Sequence, residues 1–214
     1  MTILFEFNNV KYQDVLDIKH LIIYEKKTTV FLGTSGGGKT TILKCLNKMI
    51  SPDHGIIHYK GKRLEDLKSV DHRKKVIMLQ QKPFLFPKTI LDNFLALEKI
   101  QNISINKHQI TKVLKDVGLS KPLDFDVEKL SGGEAQRLAL ARIMLSSADV
   151  ILLDEPSSAL DEKLEQMIIE KIKTFVIEKN KTLIMVTHSK DIALKHADDI
   201  YYIEGGKLEE KANE

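Results

Sequence analysis

The chain has 214 residues, enough for one well-buried α/β core with small attached subdomains but not for two full domains. Its 33 Lys and Arg residues against 30 Asp and Glu residues give a net charge of +3, too balanced for a dedicated nucleic-acid binder, so we expect no nucleic-acid partner. The single cysteine, Cys45, excludes a disulfide framework and a thiolate metal cluster, and it favours a small buried hydrophobe in a reducing compartment.

No stretch approaches the roughly 20 apolar residues of a membrane span, and the N-terminus lacks the basic segment of a signal peptide. We therefore expect a cytoplasmic protein that reaches a membrane only by docking on a membrane protein.

The first 24 residues predict short antiparallel strands. Apolar residues alternate in two runs separated by Asn and Asp turns, namely Ile3, Phe5 and Phe7, then Ile18, His20, Ile22 and Tyr24. Tyr12 lies between these runs, where its ring either stacks on an adenine or is an ordinary half-buried strand tyrosine.

A strand over Thr28 to Leu32 is predicted to lead into a phosphate-binding loop and a helix. The loop matches G-x-x-x-x-G-K-[ST], with the candidate ATP-binding residues Gly33, Thr34, Ser35, Gly36, Gly37, Gly38, Lys39, Thr40 and Thr41. The helix shows one apolar stripe of Ile42, Leu43, Leu46, Met49 and Ile50. Lys39 is predicted to reach the β- and γ-phosphates and Thr40 to ligate Mg²⁺, the alternative being an ordinary glycine-rich turn.

A further hairpin is predicted around Ile56 to Tyr59, followed by a strand over Val76 to Leu79 that ends at Gln80 and Gln81. A glutamine at this position either presents a neutral acceptor to Mg²⁺ and orients a water, or is a plain loop residue. The apolar stretch 83–87, with Phe84 and Phe86, predicts either packing between core and insert or a docking surface for a partner.

A helical insert follows from Thr89 to Val117, with N-caps predicted at Thr89 and Asn106. The next helix begins after a capping box, S-x-x-E, and two glycines leave its first N–H groups uncovered, which gives either a second anion site or an ordinary capped helix. The residues of this segment are Leu130, Ser131, Gly132, Gly133 and Glu134.

Acidic residues follow the buried strand predicted over Val150 to Leu153. At the carboxyl end of such a strand, Asp154 is predicted to hold Mg²⁺ and Glu155 to polarise the water that attacks the γ-phosphate, the alternative being a solvated acidic loop. A second core strand, Thr182 to Val186, places His188 at the same edge, where a structural role is the competing interpretation. A closing hairpin is predicted over residues 199–209.

In this order the motifs resemble the ATP-binding cassette (ABC) ATPases over essentially the whole chain. The resemblance implies an α/β P-loop NTPase fold, a single domain over residues 1–214. Its RecA-like core would carry an antiparallel β subdomain within about residues 1–75 and a helical subdomain over about residues 84–129.

The resemblance also implies residue roles. Tyr12 takes the adenine-stacking position, and Gln81, two residues before Pro83, takes the metal and water position in preference to Gln80. Asp161, in the segment Ser158-Ala159-Leu160-Asp161, lies at a dimer seam, and His188 contacts the γ-phosphate. Two copies close head to tail, with ATP between the phosphate loop of one copy and residues 131–134 of the other.

The function implied is the ATP-hydrolysing subunit of an ABC transporter, using ATP and Mg²⁺. It would work as a homodimer, or with a paired cassette subunit, on the cytoplasmic face of the cell membrane against an integral membrane permease. A soluble ABC ATPase outside transport is the alternative, although such proteins carry a coiled coil or two cassettes. A small P-loop kinase or GTPase does not explain residues 130–134, and the base-reading N-K-x-D pattern is missing, since Asn47-Lys48, Asn106-Lys107 and Asn180-Lys181 lack the aspartate.

Overall fold

The computed structural model describes residues 1–156 and 162–209. The strands in these ranges are β1 (Ile3–Tyr12), β2 (Leu16–Tyr24), β3 (Thr28–Leu32), β4 (His54–Tyr59), β5 (Lys62–Arg63), β6 (Val76–Leu79), β7 (Val150–Asp154), β8 (Thr182–Thr187), β9 (Asp199–Glu204) and β10 (Lys207–Leu208). The α-helices are α1 (Lys39–Leu46), α2 (Ser69–Lys75), α3 (Ile90–Gln101), α4 (Lys107–Asp116), α5 (Gly132–Met144), α6 (Glu162–Glu178) and α7 (Lys190–His196).

These strands form two sheets. One is a four-stranded sheet of order β2-β1-β4-β5 with antiparallel pairing throughout. The other is a six-stranded sheet of order β10-β9-β3-β8-β7-β6, parallel from β9 to β6, with only β10 antiparallel. Because parallel strands end at one edge of a sheet, the residues that follow β3, β6, β7 and β8 lie along a single edge. The α/β fold with its separate antiparallel sheet confirms the predicted fold class.

The central strands are buried on both faces. All five residues of β3 and of β7 and all six of β8 are buried, as expected for strands covered by other elements on each side. Phe31 faces a core shared with the antiparallel sheet and α1, whereas its neighbours Val30 and Leu32 face a core built by α3 to α7. Cys45 belongs to the first of these cores, where burial raises the pKa of its thiol to about 12. Its predicted role as a small buried hydrophobe is confirmed.

Strand β2 changes its buried face part-way along, which corrects the predicted alternation. Ile18 is buried, but His20 is exposed and Leu21 is buried in its place. The partner strand β1 changes face in the same region, because Asn9 adopts a left-handed conformation with φ of 52° and the pairing with β4 shifts register there. A strict period of two across this irregularity was therefore the wrong expectation.

Helix α1 ends at Leu46, four residues earlier than the apolar stripe indicates. The side chain of Asn47 turns inward to donate to the Val76 carbonyl, and Lys48 adopts a left-handed conformation with φ of 57°. Met49 is consequently exposed rather than part of the helix stripe.

Three capping boxes predicted from the sequence are present at Thr89, Asn106 and Ser131. They begin α3, α4 and α5, which pack together around buried Phe94 and Leu114. Across the described ranges 1–156 and 162–209, every helix is too short or too polar to cross a bilayer.

Candidate active site

The phosphate loop connects the buried strand β3 to helix α1. Lys39 is only 5 % exposed, and its ammonium donates to the carbonyl oxygens of Gly33 at 2.8 Å and Thr34 at 2.7 Å. These contacts hold the ammonium inside the loop, while Thr34, Ser35 and Gly36 remain exposed. The loop therefore presents a cation and exposed backbone around one point, which suits a polyphosphate.

Two neighbouring segments contact this loop so closely that Gly33 and Gly38 have no room for a side chain. A Cβ on Gly33 would lie 2.1 Å from the Ile203 carbonyl oxygen of β9. Gly38 has φ of 96°, and a Cβ there would lie 2.9 Å from the Val15 carbonyl oxygen in the β1–β2 turn. Glycine is required at both positions, so the loop shape depends on β9 and the β1–β2 turn as well as on its own sequence.

Tyr12 lies at the start of that same turn. Its carbonyl accepts a hydrogen bond from the Val15 N–H at 3.1 Å, and its half-buried ring packs against the core of the antiparallel sheet. The turn that carries Tyr12 therefore contacts the phosphate loop at Gly38, which places the tyrosine beside the site.

A hydroxyl and a buried carboxylate meet at the next position. The Thr40 hydroxyl donates to Asp154 Oδ1 at 2.8 Å, and Asp154 is the last residue of β7. Burial raises the pKa of Asp154, while the Thr40 hydrogen bond and nearby lysines oppose the rise. A buried carboxylate beside a second oxygen donor is a favourable place for a hard cation, so these two residues fit Mg²⁺.

Three further side chains converge at the strand ends. Gln81 follows β6 and donates from Nε2 to Glu155 Oε2 at 3.0 Å, and His188 follows β8 with its Nδ1 3.9 Å from Glu155 Oε1. Gln80 points elsewhere, since its amide faces the Met49 sulfur at 3.9 Å. The fold thus brings together Gln81, Glu155 and His188, which are far apart in the sequence.

The backbone of Glu155 is held in an unusual conformation. Its φ is 46°, and it precedes Pro156, a neighbour that further restricts the backbone. Its N–H donates to the Val186 carbonyl at 3.1 Å, and its own carbonyl accepts from Gln136 Nε2 at 3.2 Å. Sequence reasoning assigned Gln136 no role, and its only signal was its place two residues after the capping box of Ser131 and Glu134.

The segment around Ser131 lies at the start of α5. Ser131 and Glu134 exchange capping hydrogen bonds, and Lys121 Nζ lies 3.2 Å from Glu134 Oε1. The Ser131 N–H and the Lys121 ammonium lower the pKa of Glu134. Among residues 1–156 and 162–209, hydrogen bonds and ion pairs do not join residues 131–134 to the phosphate loop. The predicted seam residue Asp161 lies outside the described residues.

The apolar stretch after Gln81 divides into an exposed and a packed part. Phe84 is 68 % exposed, whereas the half-buried Phe86 ring stands edge-on to it with centroids 5.3 Å apart. Arg142 of α5 donates to the Phe84 carbonyl at 2.8 Å, and its guanidinium lies 5.3 Å from the centre of the Phe86 ring. Burial lowers the pKa of Arg142 to about 10. Arg142 was also missed by sequence reasoning, because it lies on the inner face of an ordinary helix pattern.

With this arrangement established, comparison with known proteins identifies the family. A family model described as "ABC transporter" matches residues 16–158. The chain belongs to the ABC transporter family. The match includes the phosphate loop, Gln81, the Ser131 segment and both acidic residues, whereas Tyr12 and His188 lie outside it.

Several proteins similar to this chain are import ATP-binding proteins. The phosphate import protein PstB of Thermotoga maritima is 36 % identical over 176 residues, which cover 73 % of this chain and 69 % of that protein. The molybdate/tungstate import protein WtpC of Methanocaldococcus jannaschii is 34 % identical over 149 residues, covering 68 % of this chain and 49 % of WtpC. For PstB of Campylobacter jejuni, 36 % identical, the matched part is 65 % of that protein. The chain therefore spans about half to two thirds of the length of several of these relatives.

Solved structures share the fold. A dimeric ATP-binding cassette in a post-hydrolysis state with ADP and Pi aligns with a TM-score of 0.84 at 26 % identity, covering 99 % of this chain and 100 % of that one. A bacterial Atm1-family ABC exporter with ATP bound aligns with a TM-score of 0.87 at 24 % identity, covering 98 % of this chain and 38 % of that one.

Proposed function

We propose that this chain is the ATP-hydrolysing subunit of an ABC transporter. The observation that carries the proposal is the convergence of Gln81 and His188 on Glu155, directly after Asp154 at the same edge of the sheet. A general base, a cation site and a phosphate loop are the three parts that attack of water on a bound nucleoside triphosphate requires.

Each residue has a task in this mechanism. The Lys39 ammonium moves from the Gly33 and Thr34 carbonyls to the β- and γ-phosphates, and the Tyr12 ring stacks on the adenine. Thr40 and Asp154 hold Mg²⁺, with Gln81 as a further oxygen donor. When bound, Mg²⁺ neutralises the charge of the β- and γ-phosphates.

Water activation falls to the three side chains at the strand ends. Glu155 accepts a proton from the attacking water, Gln81 orients that water, and His188 donates a hydrogen bond to the γ-phosphate. The Glu155 side chain is half-buried and hydrogen-bonded to Gln81, which supports this assignment over a solvated acidic loop.

The first test is the ATPase rate of the purified chain with Mg²⁺. We expect steady hydrolysis in the wild type and a loss of about 10²- to 10⁴-fold in kcat for Glu155→Gln, with ATP binding retained. The matched control is Asp149→Asn, which removes an exposed carboxylate just before β7, at the opposite end of that strand. Normal turnover in Glu155→Gln, or an equal loss in the control, contradicts the assignment.

We further propose that the site is completed by a second copy, whose Ser131 to Glu134 segment covers the γ-phosphate. The exposed capped start of α5 is a second anion site that its own chain leaves unused. The dimeric cassette with ADP and Pi that shares this fold supports the assignment.

A mixing experiment tests the shared site. A Lys39→Ala chain and a Ser131→Arg chain are each expected to be inactive, and mixed dimers keep one intact composite site. Recovery of part of the activity on mixing supports the proposal. Mixed dimers that form, as seen by differently tagged chains, and stay inactive contradict it.

The transport partner is proposed to be an integral membrane permease, with the chain bound to the cytoplasmic face of the membrane. The relatives named above as import ATP-binding proteins favour this over a soluble cassette ATPase outside transport. Mild solubilisation of membranes that contain the tagged chain, followed by identification of what co-purifies, separates the two. A multispanning membrane protein in stoichiometric amount supports transport, and its reproducible absence supports the soluble alternative.

A further inference from the structure

The left-handed conformation of Glu155 requires support from outside its own segment. A non-glycine residue with φ of 46° immediately before a proline is unfavourable by itself, and it persists only where surrounding contacts impose it. The conformation matters because it determines where the carboxylate points, and here that carboxylate meets Gln81 and lies near His188.

Gln136 supplies one of these contacts from helix α5. Gln136 is only 2 % exposed, and its amide Nε2 donates a hydrogen bond to the Glu155 carbonyl at 3.2 Å. A buried amide has lost its hydrogen bonds to water, and leaving it unpaired costs free energy. The hydrogen bond to Glu155 therefore favours one position of the Gln136 amide. The bond fixes the plane of the Glu155–Pro156 peptide, which in turn orients the Glu155 side chain.

The same helix begins at Ser131, the anion site proposed to act on the other copy's nucleotide. Gln136 lies one turn beyond Gly132, about 6 Å along the helix axis at 1.5 Å per residue. A helix moves as a rigid element over so short a distance. A displacement of the start of α5 on closing over a nucleotide is therefore passed directly to the Glu155 carbonyl of its own chain.

We infer that Gln136 is a positioning residue for Glu155. Through it, the orientation of this base is coupled to the position of the Ser131 end of α5. The inference rests on the proposed ATPase function. Because Gln136 is buried, we expect it to act on turnover through Glu155 and to leave nucleotide affinity unchanged.

The test compares Gln136→Met with a matched loss of a buried amide elsewhere. Asn47 is also buried and also donates to a backbone carbonyl, that of Val76, at the far end of α1. Both Gln136→Met and Asn47→Leu are expected to lower Tm. Only Gln136→Met is expected to lower kcat, by about tenfold to a hundredfold as for a misplaced catalytic group, with KM and the affinity for a fluorescent ATP analogue within twofold of wild type.

A double variant separates positioning from general damage. In the Glu155→Gln background no carboxylate base is left to position, so adding Gln136→Met is expected to change the residual single-turnover rate by less than twofold. The inference is overturned if Gln136→Met keeps the wild-type kcat, or if the same large loss persists in the Glu155→Gln background. An inactive wild-type chain would instead overturn the proposed function, so the two failures are distinguishable.

A second variant covers the case in which Gln136→Met does not fold. Gln136→Asn keeps an amide but shortens the side chain by one methylene group, so the amide no longer reaches the Glu155 carbonyl. It is expected to show the same fall in kcat at unchanged nucleotide affinity. Wild-type turnover in a folded Gln136→Asn chain contradicts the inference as well.

Discussion

The phosphate loop and the group around Glu155 are built in opposite ways. In the loop, the Lys39 ammonium bonds to carbonyls five and six residues earlier in the same segment, and it is almost fully buried. Around Glu155, Gln81 comes from 74 residues away, and both Gln81 and His188 are exposed. The loop is therefore specified largely by a short segment, whereas the water-activating group exists only because β6, β7 and β8 are neighbours.

Because of this difference, substitutions in the two regions should have different effects on nucleotide binding and on turnover. Changes in the loop should act on nucleotide affinity or on the stability of the loop region. Changes at the strand ends should act on kcat while leaving binding and stability nearly intact.

The largest effect on nucleotide binding is expected from Lys39→Met. Losing one ammonium that reaches two phosphates removes two charge-assisted hydrogen bonds of about 1.5–3 kcal/mol each, which corresponds to a fall in ATP affinity of about 10²- to 10⁴-fold. Equilibrium binding of a fluorescent ATP analogue measures it. The exposed Lys62, on the short strand β5, provides the control Lys62→Ala, which should bind normally. Equal losses in both variants would mean that only overall charge matters.

Gly38→Ala against Gly36→Ala tests how strongly the loop depends on the β1–β2 turn. Both glycines have positive φ, 96° and 79°, but only at Gly38 would a Cβ collide with Val15 and Leu16. We expect Gly38→Ala to cost roughly 1–3 kcal/mol of unfolding free energy and Gly36→Ala about 1 kcal/mol. Urea unfolding of the nucleotide-free chain measures both. Identical costs would show that the turn contributes no constraint.

Gln81→Ala should affect turnover alone. The exposed Gln81 side chain contributes little to stability, but it holds Glu155 Oε2 and orients the attacking water, so kcat is expected to fall about tenfold. Affinity for the ATP analogue and Tm should stay at wild-type values. Gln80→Ala, which removes the neighbouring amide that faces Met49, is the control and should leave kcat unchanged. If kcat fell only in Gln80→Ala, Gln80 and not Gln81 would be the residue that orients the water.

The smallest effect on the isolated chain is expected from the exposed aromatic ring next to Gln81. Phe84→Ala should change the unfolding free energy by less than about 0.5 kcal/mol, whereas Phe86→Ala loses the Arg142 contact and roughly 1–2 kcal/mol. Thermal unfolding measures both variants. If Phe84 anchors the membrane subunit, Phe84→Ala should also weaken the association with that subunit by about 2 kcal/mol or more, as for an interface anchor. Less of that subunit should then co-purify with the chain. A large fall in Tm for Phe84→Ala with association unchanged would move the docking surface elsewhere.

Local patterns predicted the elements of this protein well. The three capping boxes at Thr89, Asn106 and Ser131 were correct, because each depends on residues three positions apart in one chain segment. The predictions for β2 and for the end of α1 were wrong, since both depend on tertiary contacts. Asn9 interrupts the regular alternation of β1, the strand paired with β2, and the Asn47 side chain bonds to the Val76 carbonyl just after the end of α1.

The sequence by itself determined the parts whose geometry is contained in a short segment: the phosphate loop, the buried strands that precede Asp154 and His188, and the capped start of α5. Only the tertiary structure decided that Gln81 bonds to Glu155, that Thr40 bonds to Asp154, and that Gln136 and Arg142 connect α5 to the segments after β7 and β6. The physical reason is that these contacts depend on strand order and helix packing. A hydrogen bond needs atoms within about 3 Å, and spacing along the chain does not determine which distant segments come that close.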